Sequence, residues 1–107
     1  MANEVFLPLR SVRMDCSTTS KRVALPALGR HVRIFNNTTN MAWVNMGGSG
    51  VTAAIPAADT AGDGFPVAPG SVELFREDPS SANAITHIAV ILQSGTGIVN
   101  VTVGEGW

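Results

Sequence analysis

The sequence predicts an all-β protein, a single small antiparallel β-sandwich of the immunoglobulin-like or jelly-roll-like kind with an N-terminal arm. Three observations predict this fold. The chain has 107 residues, which is the usual size of one domain. Hydrophobic residues make up 45% of it, which suffices for a packed core and excludes disorder. Its 6 Pro and 11 Gly are spread through the chain, so only short strands fit between the turns.

The predicted strands are short apolar or alternating segments, each bounded by residues that favour turns. Pro, Gly, Asn and Ser are frequent in the segments between them. This spacing is typical of a sandwich or a small barrel. The pattern predicts strands over residues 5–12, 22–25, 31–35, 42–45, 51–55, 72–76, 85–93 and 98–103.

The last two strands carry the clearest pattern. Segment 85–93 is apolar on both faces, which is typical of a central strand covered on both sides. In segment 98–103 three valines alternate with Asn100 and Thr102, as in a half-buried strand. Gly95 and Gly97 between the two segments favour the positive φ angles of a tight turn. We therefore predict a C-terminal β-hairpin.

Residues 1–20 are predicted to be an N-terminal arm or edge strand, and residues 21–107 the sandwich domain. Pro8 interrupts an otherwise apolar strand and cannot donate to a β-ladder, so this segment is an edge strand or an arm on a neighbouring subunit. The polar run over residues 16–20 follows it as a flexible linker. Deletion of residues 1–19 is then expected to leave the fold intact.

The charge is sparse and unevenly distributed. Charged residues make up 14% of the chain, against about 25% in an average soluble domain. Residues 1–33 have a net charge of +4 and residues 34–107 a net charge of −5. The basic end can attract the acidic body of the same chain or of a neighbouring copy. The overall balance of −1 carries no electrostatic signature of nucleic-acid binding.

No targeting or membrane signal is recognisable. The chain start lacks a basic segment followed by a long apolar stretch, so we predict no signal peptide. The apolar runs are too short to span a bilayer. Cys16 is the single cysteine, which excludes an intrachain disulfide and a cysteine-based zinc site. We expect a protein made in the cytoplasm that contacts no membrane.

The residue inventory argues against an enzyme, and no catalytic residue is predicted. The nucleophile-elbow, zinc-protease and phosphate-loop motifs do not occur. His87 lies in an apolar strand and is predicted to be a core histidine. His31 lies between Arg30 and Arg33 and is predicted to be at the surface. No cofactor is expected.

Three further motifs have structural explanations. Segment 47–50 is Gly-rich but lacks the Lys of a phosphate loop, so it is predicted to be a turn. Asp59 and Asp63 lie in a Gly-containing loop that lacks the other ligands of a calcium loop, so no metal site is predicted. Segments 36–38 and 100–102 match the glycosylation pattern, which has no meaning without a secretory route.

The two tryptophans are the remaining candidates for contact residues. Trp43 lies in an apolar strand and is predicted to belong to the core. Trp107 follows a Gly-containing segment and is predicted to dock on its own sandwich or on a neighbouring subunit, because buried aromatic anchors contribute strongly to interfaces.

A series of short motifs resembles a group of small tailed-bacteriophage proteins that are encoded among virion genes. The motifs are AWV at 42–44, FPVAPGSVELF at 65–75, ITHIA at 85–89, SGTG at 94–97 and VTVGEG at 101–106. The resemblance covers about residues 31–106 and leaves the arm outside it. It implies a β-sandwich virion component, such as a cement or decoration protein that clamps the capsid shell.

The function expected from this resemblance is that of a non-enzymatic capsid cement protein, located in the virion. Such a protein stabilises the assembled shell because it binds that state and not the loose subunits. Its partners would be the major capsid protein or another virion protein, and a second copy in a homotrimer or homodimer. The predicted contact residues are Val5, Phe6, Leu7, Leu9, Arg10, Arg13 and Trp107.

Two alternatives stay open at this point. One is a carbohydrate-binding module of a host-recognition device, in which Trp43 or Trp107 stacks on a sugar. Its distinguishing feature would be a tryptophan in an open groove beside Asn and Asp side chains. The other is a minor neck, tail or fibre component with the same fold, which the sequence does not distinguish from a cement protein.

Overall fold

The computed structural model describes residues 7–26, 31–76 and 85–105. Within these residues the chain is all-β, with eight strands in two antiparallel four-stranded sheets that pack together, which confirms the predicted β-sandwich. The strands are β1 (Leu7–Cys16), β2 (Lys21–Ala24), β3 (His31–Asn37), β4 (Ala42–Gly47), β5 (Phe65–Val67), β6 (Val72–Arg76), β7 (His87–Leu92) and β8 (Gly97–Glu105). Sheet A has the order β1-β8-β3-β6, and sheet B has the order β2-β7-β4-β5.

The core lies between the two sheets and consists of side chains at alternate strand positions. Because successive residues of a strand point to opposite faces, an alternating apolar pattern buries one whole face. Each large aliphatic side chain removed from water stabilises the fold by about 1.5–3 kcal/mol. The fully buried aliphatic residues of the central strands are Val32, Ile34, Val44, Ile88, Val90, Leu92, Val99, Val101 and Val103.

The predicted C-terminal hairpin is wrong, because β7 and β8 belong to different sheets. Strand β7 pairs with β2 and β4, whereas β8 pairs with β1 and β3. Gly95, at φ 71°, lies in the turn that carries the chain from one sheet to the other. An alternating strand can bury its apolar face in the core whichever strands it pairs with. The pattern therefore identified the buried residues and not the strand pairing.

Strand β1 is an edge strand of its own sheet, so the structure favours this alternative for residues 7–16. It pairs antiparallel with β8 at nine positions, and Met14 and Cys16 are each 1% exposed in the core. The structure argues against the expectation that residues 1–19 can be deleted without damage, because the deletion removes a strand that completes the core. Cys16, predicted to begin a polar linker, is the last residue of this strand.

The predicted strand over residues 51–55 is also wrong, because this segment crosses the outer face of sheet B as an irregular loop. Its backbone groups form hydrogen bonds with side chains instead of with a neighbouring strand. The Asn45 side chain donates to the Thr52 carbonyl at 3.1 Å. The Ala53 N–H donates to the Ser20 hydroxyl at 2.9 Å. Side-chain partners thus satisfy polar backbone groups that would otherwise lack partners near the sheet.

The short strand β5 was missed because Pro66 argues against a strand. Proline is tolerated here because β5 is the last strand of sheet B, where one side needs no donor. Gly64 precedes it at φ 93°, with its Cα so close to β4 that a Cβ would lie 2.5 Å from the Val44 carbonyl oxygen. Only glycine accommodates both this conformation and this approach.

A buried amide joins the two sheets. The Asn36 side chain is fully buried, and its Nδ2 donates to the carbonyls of Asn40 and Val67, both at 2.8 Å. Its Oδ1 accepts the Thr38 N–H at 3.1 Å and the Thr38 hydroxyl at 2.7 Å. All four hydrogen-bonding positions of the amide are filled. Asn36 lies on β3 of sheet A and Val67 on β5 of sheet B, so this side chain links the sheets.

Candidate protein-contact surfaces

The structure places four of the seven predicted contact residues on β1. Leu7, Leu9, Arg10 and Arg13 lie on this edge strand, and Val5, Phe6 and Trp107 lie outside the described residues. Leu9, Arg10 and Arg13 have exposed side chains, and we call these three the β1 patch.

A β-bulge shapes this patch. The pairing register with β8 shifts between Pro8 and Arg10, so Leu9 is an extra residue, and its side chain is 48% exposed. Beyond the bulge, Arg10 lies opposite Val103 at an inward position of the strand. A bulge, a proline and an inward charge all hinder the addition of another strand. This edge therefore offers side chains, rather than backbone groups, to a partner.

The outer face of sheet A is a second surface. Val72 and Leu74 on β6 are 42% and 53% exposed, beside Arg33 and the half-buried Phe35 on β3. We call these four residues the sheet A face. It contains an open depression of about 340 Å³, lined by Arg33, Phe35, Val72, Asn100 and Thr102.

Sequence reasoning did not find this face. The pattern of β6 permits two opposite orientations, and the structure has Glu73 and Phe75 at the inward positions opposite Ile34 and Val32. Phe75 contacts Phe65 across the sandwich, with ring centroids 4.2 Å apart. This aromatic contact favours the orientation that leaves the two aliphatic side chains of β6 in solvent.

The two histidine predictions are both wrong. His87 is half-buried at an outward position of β7, with its Nδ1 2.8 Å from the Thr86 hydroxyl. His31 is only 7% exposed. It lies opposite Gly104 of β8, which has no side chain. The position of each ring within its sheet, not the polarity of its neighbours in sequence, determines its burial.

Trp43 lies outside the core, contrary to prediction. Ala42 and Val44 take the buried positions of β4, and the half-buried Trp43 lies at an outward position, opposite Ile91. Its indole N–H donates to the Gln93 side chain at 3.2 Å. Trp43 lines neither the depression on the sheet A face nor a smaller one near residues 52–63. Neither of these two depressions therefore supplies the open groove that the sugar-binding alternative requires.

The loop over residues 54–63 is an acidic and partly apolar surface, which we call the acidic loop. Asp59 and Asp63 are exposed, and Ile55 is 40% exposed. Asp59 has a left-handed backbone, at φ 62°. Among the described residues, no three His, Cys, Asp or Glu side chains lie together in a way that could hold a metal ion.

Cys16 has the properties of a structural thiol. It is 1% exposed, and its Sγ donates to the Met14 carbonyl at 3.6 Å. Burial raises its pKa from 9.0 to about 11, and the nearby Asp15 acts in the same direction, whereas Lys21 opposes the shift. Since the thiolate is the reactive form, this side chain is protected from alkylation at neutral pH.

We therefore expect Cys16 to resist iodoacetamide at pH 8 in the folded protein and to react fully in urea. Its pKa is raised by folding, so its stabilising contribution is complete below pH 9 and is lost as the pH rises through about 11. Urea titrations across this range should show a decline that the Cys16→Ala variant lacks. Rapid alkylation of the folded protein would contradict this prediction.

Comparison of the chain with protein families, with curated proteins and with solved structures finds no match. In the described part of the chain, no helix is long and apolar enough to cross a membrane.

Proposed function

We propose that this chain is a non-enzymatic structural protein of a bacteriophage virion that binds the assembled head shell as a cement protein. The observation that carries the proposal is the β1 patch, in which an exposed leucine at a bulge is followed by Arg10 and, further along the same edge strand, by Arg13 on its other face. The same strand contributes Met14 to the core, so the patch is held on a rigid support. The motifs that resemble small virion proteins support the same function.

The composition of the patch suits repeated docking on a protein lattice. Burial of one leucine side chain contributes about 1.5–3 kcal/mol. Arginines at the rim add electrostatic steering and specificity. Because a paired strand already holds these side chains, binding costs less conformational entropy than it would for a flexible arm. A contact that exists only on the assembled shell then stabilises the shell by mass action.

The first test is the copy number of this protein in purified phage particles, measured by quantitative mass spectrometry against the major shell protein. A cement protein is expected at a ratio of the same order as the shell protein. A ratio of a few per cent or less would contradict the proposal and would indicate a neck, tail or fibre component instead.

The second test changes the patch without removing the strand. The double variant Leu9→Ser, Arg10→Glu is expected to weaken binding to shells made without this protein by about 100-fold, because it removes apolar area and reverses a charge. Arg76→Glu is the matched control, since this exposed cation lies on β6, at the opposite edge of sheet A from β1. Co-sedimentation measures the binding. Unchanged sedimentation of the folded double variant would refute the role of the patch.

A further inference from the structure

The acidic loop and the sheet A face lie on opposite sides of the sandwich. The segment that leads into the loop is attached to sheet B, where the Arg22 guanidinium donates to the Val51 carbonyl at 3.5 Å. Ala89 lies opposite Arg22 and Asn45, at an outward position of sheet B, and is nevertheless fully buried. The segment over residues 51–53 therefore covers this outer face. Thr52 lines one depression together with Ala54, Pro56, Gly62 and Asp63, so both ends of the acidic loop lie beside this segment, on the side of the sandwich away from sheet A.

The two surfaces are complementary in charge. The described outward positions of sheet A hold three arginines and one aspartate, which are Arg13, Arg33, Arg76 and Asp15. The acidic loop carries Asp59 and Asp63 and no cation. Within the described part of the chain, Arg33 and these two loop carboxylates form no ion pair, so their charges are available to a partner.

The two surfaces are also complementary in their apolar groups. Val72 and Leu74 protrude beside Arg33 on the sheet A face, and Ile55 is the exposed aliphatic residue of the acidic loop. Each surface thus combines an exposed aliphatic side chain with charges of one dominant sign. An apolar centre flanked by charged groups is the common arrangement of a protein–protein interface.

We infer that the acidic loop of one copy binds the sheet A face of a second copy. A single chain cannot join its own two surfaces, because they face in opposite directions. The contact is therefore heterologous, a head-to-tail association that closes into a ring or continues as a filament. It uses neither Leu9 nor Arg10, so its failure would be distinguishable from a failure of shell binding.

Light scattering coupled to size-exclusion chromatography tests the association. The purified protein is expected to form species larger than a monomer at low salt and to dissociate as salt screens the charges. Arg33→Glu should raise the dissociation constant by about 100-fold or more, because it places like charges opposite each other. Arg10→Glu changes the net charge equally, lies outside this contact and should leave the association unchanged. A monomeric wild-type protein would overturn the inference.

A mixing experiment tests the head-to-tail geometry. The variant Arg33→Glu, Leu74→Ser retains its loop, and the variant Ile55→Ser, Asp63→Asn retains its sheet A face. Each should be monomeric alone, and circular dichroism checks that each is folded. An equimolar mixture should form 1:1 heterodimers and nothing larger, because each pair has one intact contact. A mixture that stays monomeric, or variants that self-associate normally, would overturn the inference.

Discussion

Removal of residues 1–19 is expected to unfold this protein. The deletion eliminates β1, which pairs with β8 at nine positions. It also removes the fully buried Met14 and Cys16, together with Val12, which packs against the core. Each large buried side chain contributes about 1.5–3 kcal/mol, and β8 would lose one of its two ladder partners. The sum is comparable with the total stability of a small domain, about 5–15 kcal/mol.

Far-UV circular dichroism and urea titration measure this effect. The comparator is a deletion of residues 1–6, which leaves every described pair of the β1–β8 ladder in place. The shorter deletion should retain the β-sheet spectrum, whereas the longer one should lose it. A 1–19 deletion with the wild-type spectrum and urea midpoint would show that β1 is dispensable.

Substitution of Asn36 is expected to produce the largest loss of stability from a single residue. Asn36→Ala leaves the Val67 carbonyl without this donor and the Thr38 N–H without its acceptor, whereas the Asn40 carbonyl keeps the Thr38 hydroxyl as a donor. Since each unpaired buried polar group costs about 1–3 kcal/mol, we expect the free energy of unfolding to fall by about 3 kcal/mol or more. Asn36→Asp should be worse, because it places a carboxylate oxygen against the two carbonyls.

Asn37→Ala and Asn37→Asp are the matched controls, because Asn37 is the next residue of β3 and its side chain is exposed. They should change the free energy of unfolding by less than about 0.5 kcal/mol. Urea denaturation monitored by tryptophan fluorescence gives all four values. Asn36 variants as stable as the Asn37 variants would show that the link between the sheets contributes little.

Local patterns in the sequence determined the fold class and much of the core. The alternation in segment 98–103 identified Val99, Val101 and Val103 as buried, because the two-residue period of a strand is a local property. The dense turn-forming residues excluded long helices for the same reason. The exclusion of an intrachain disulfide and of a cysteine-based zinc site likewise follows from composition, because Cys16 is the single cysteine. Of the predicted contact residues, Leu9, Arg10 and Arg13 are exposed on β1.

Strand pairing, and the face of an ambiguous strand that turns inward, depend on tertiary contacts that local patterns do not encode. The pattern of β8 is compatible with a hairpin to β7 in one sheet and also with a position in the facing sheet. Tertiary packing produces the second arrangement. The Phe65–Phe75 contact likewise left Leu74 exposed, and the tertiary fold buried His31. The physical reason is that strand periodicity is set by adjacent residues, whereas pairing, burial of single polar groups and surface complementarity depend on residues far apart in the chain.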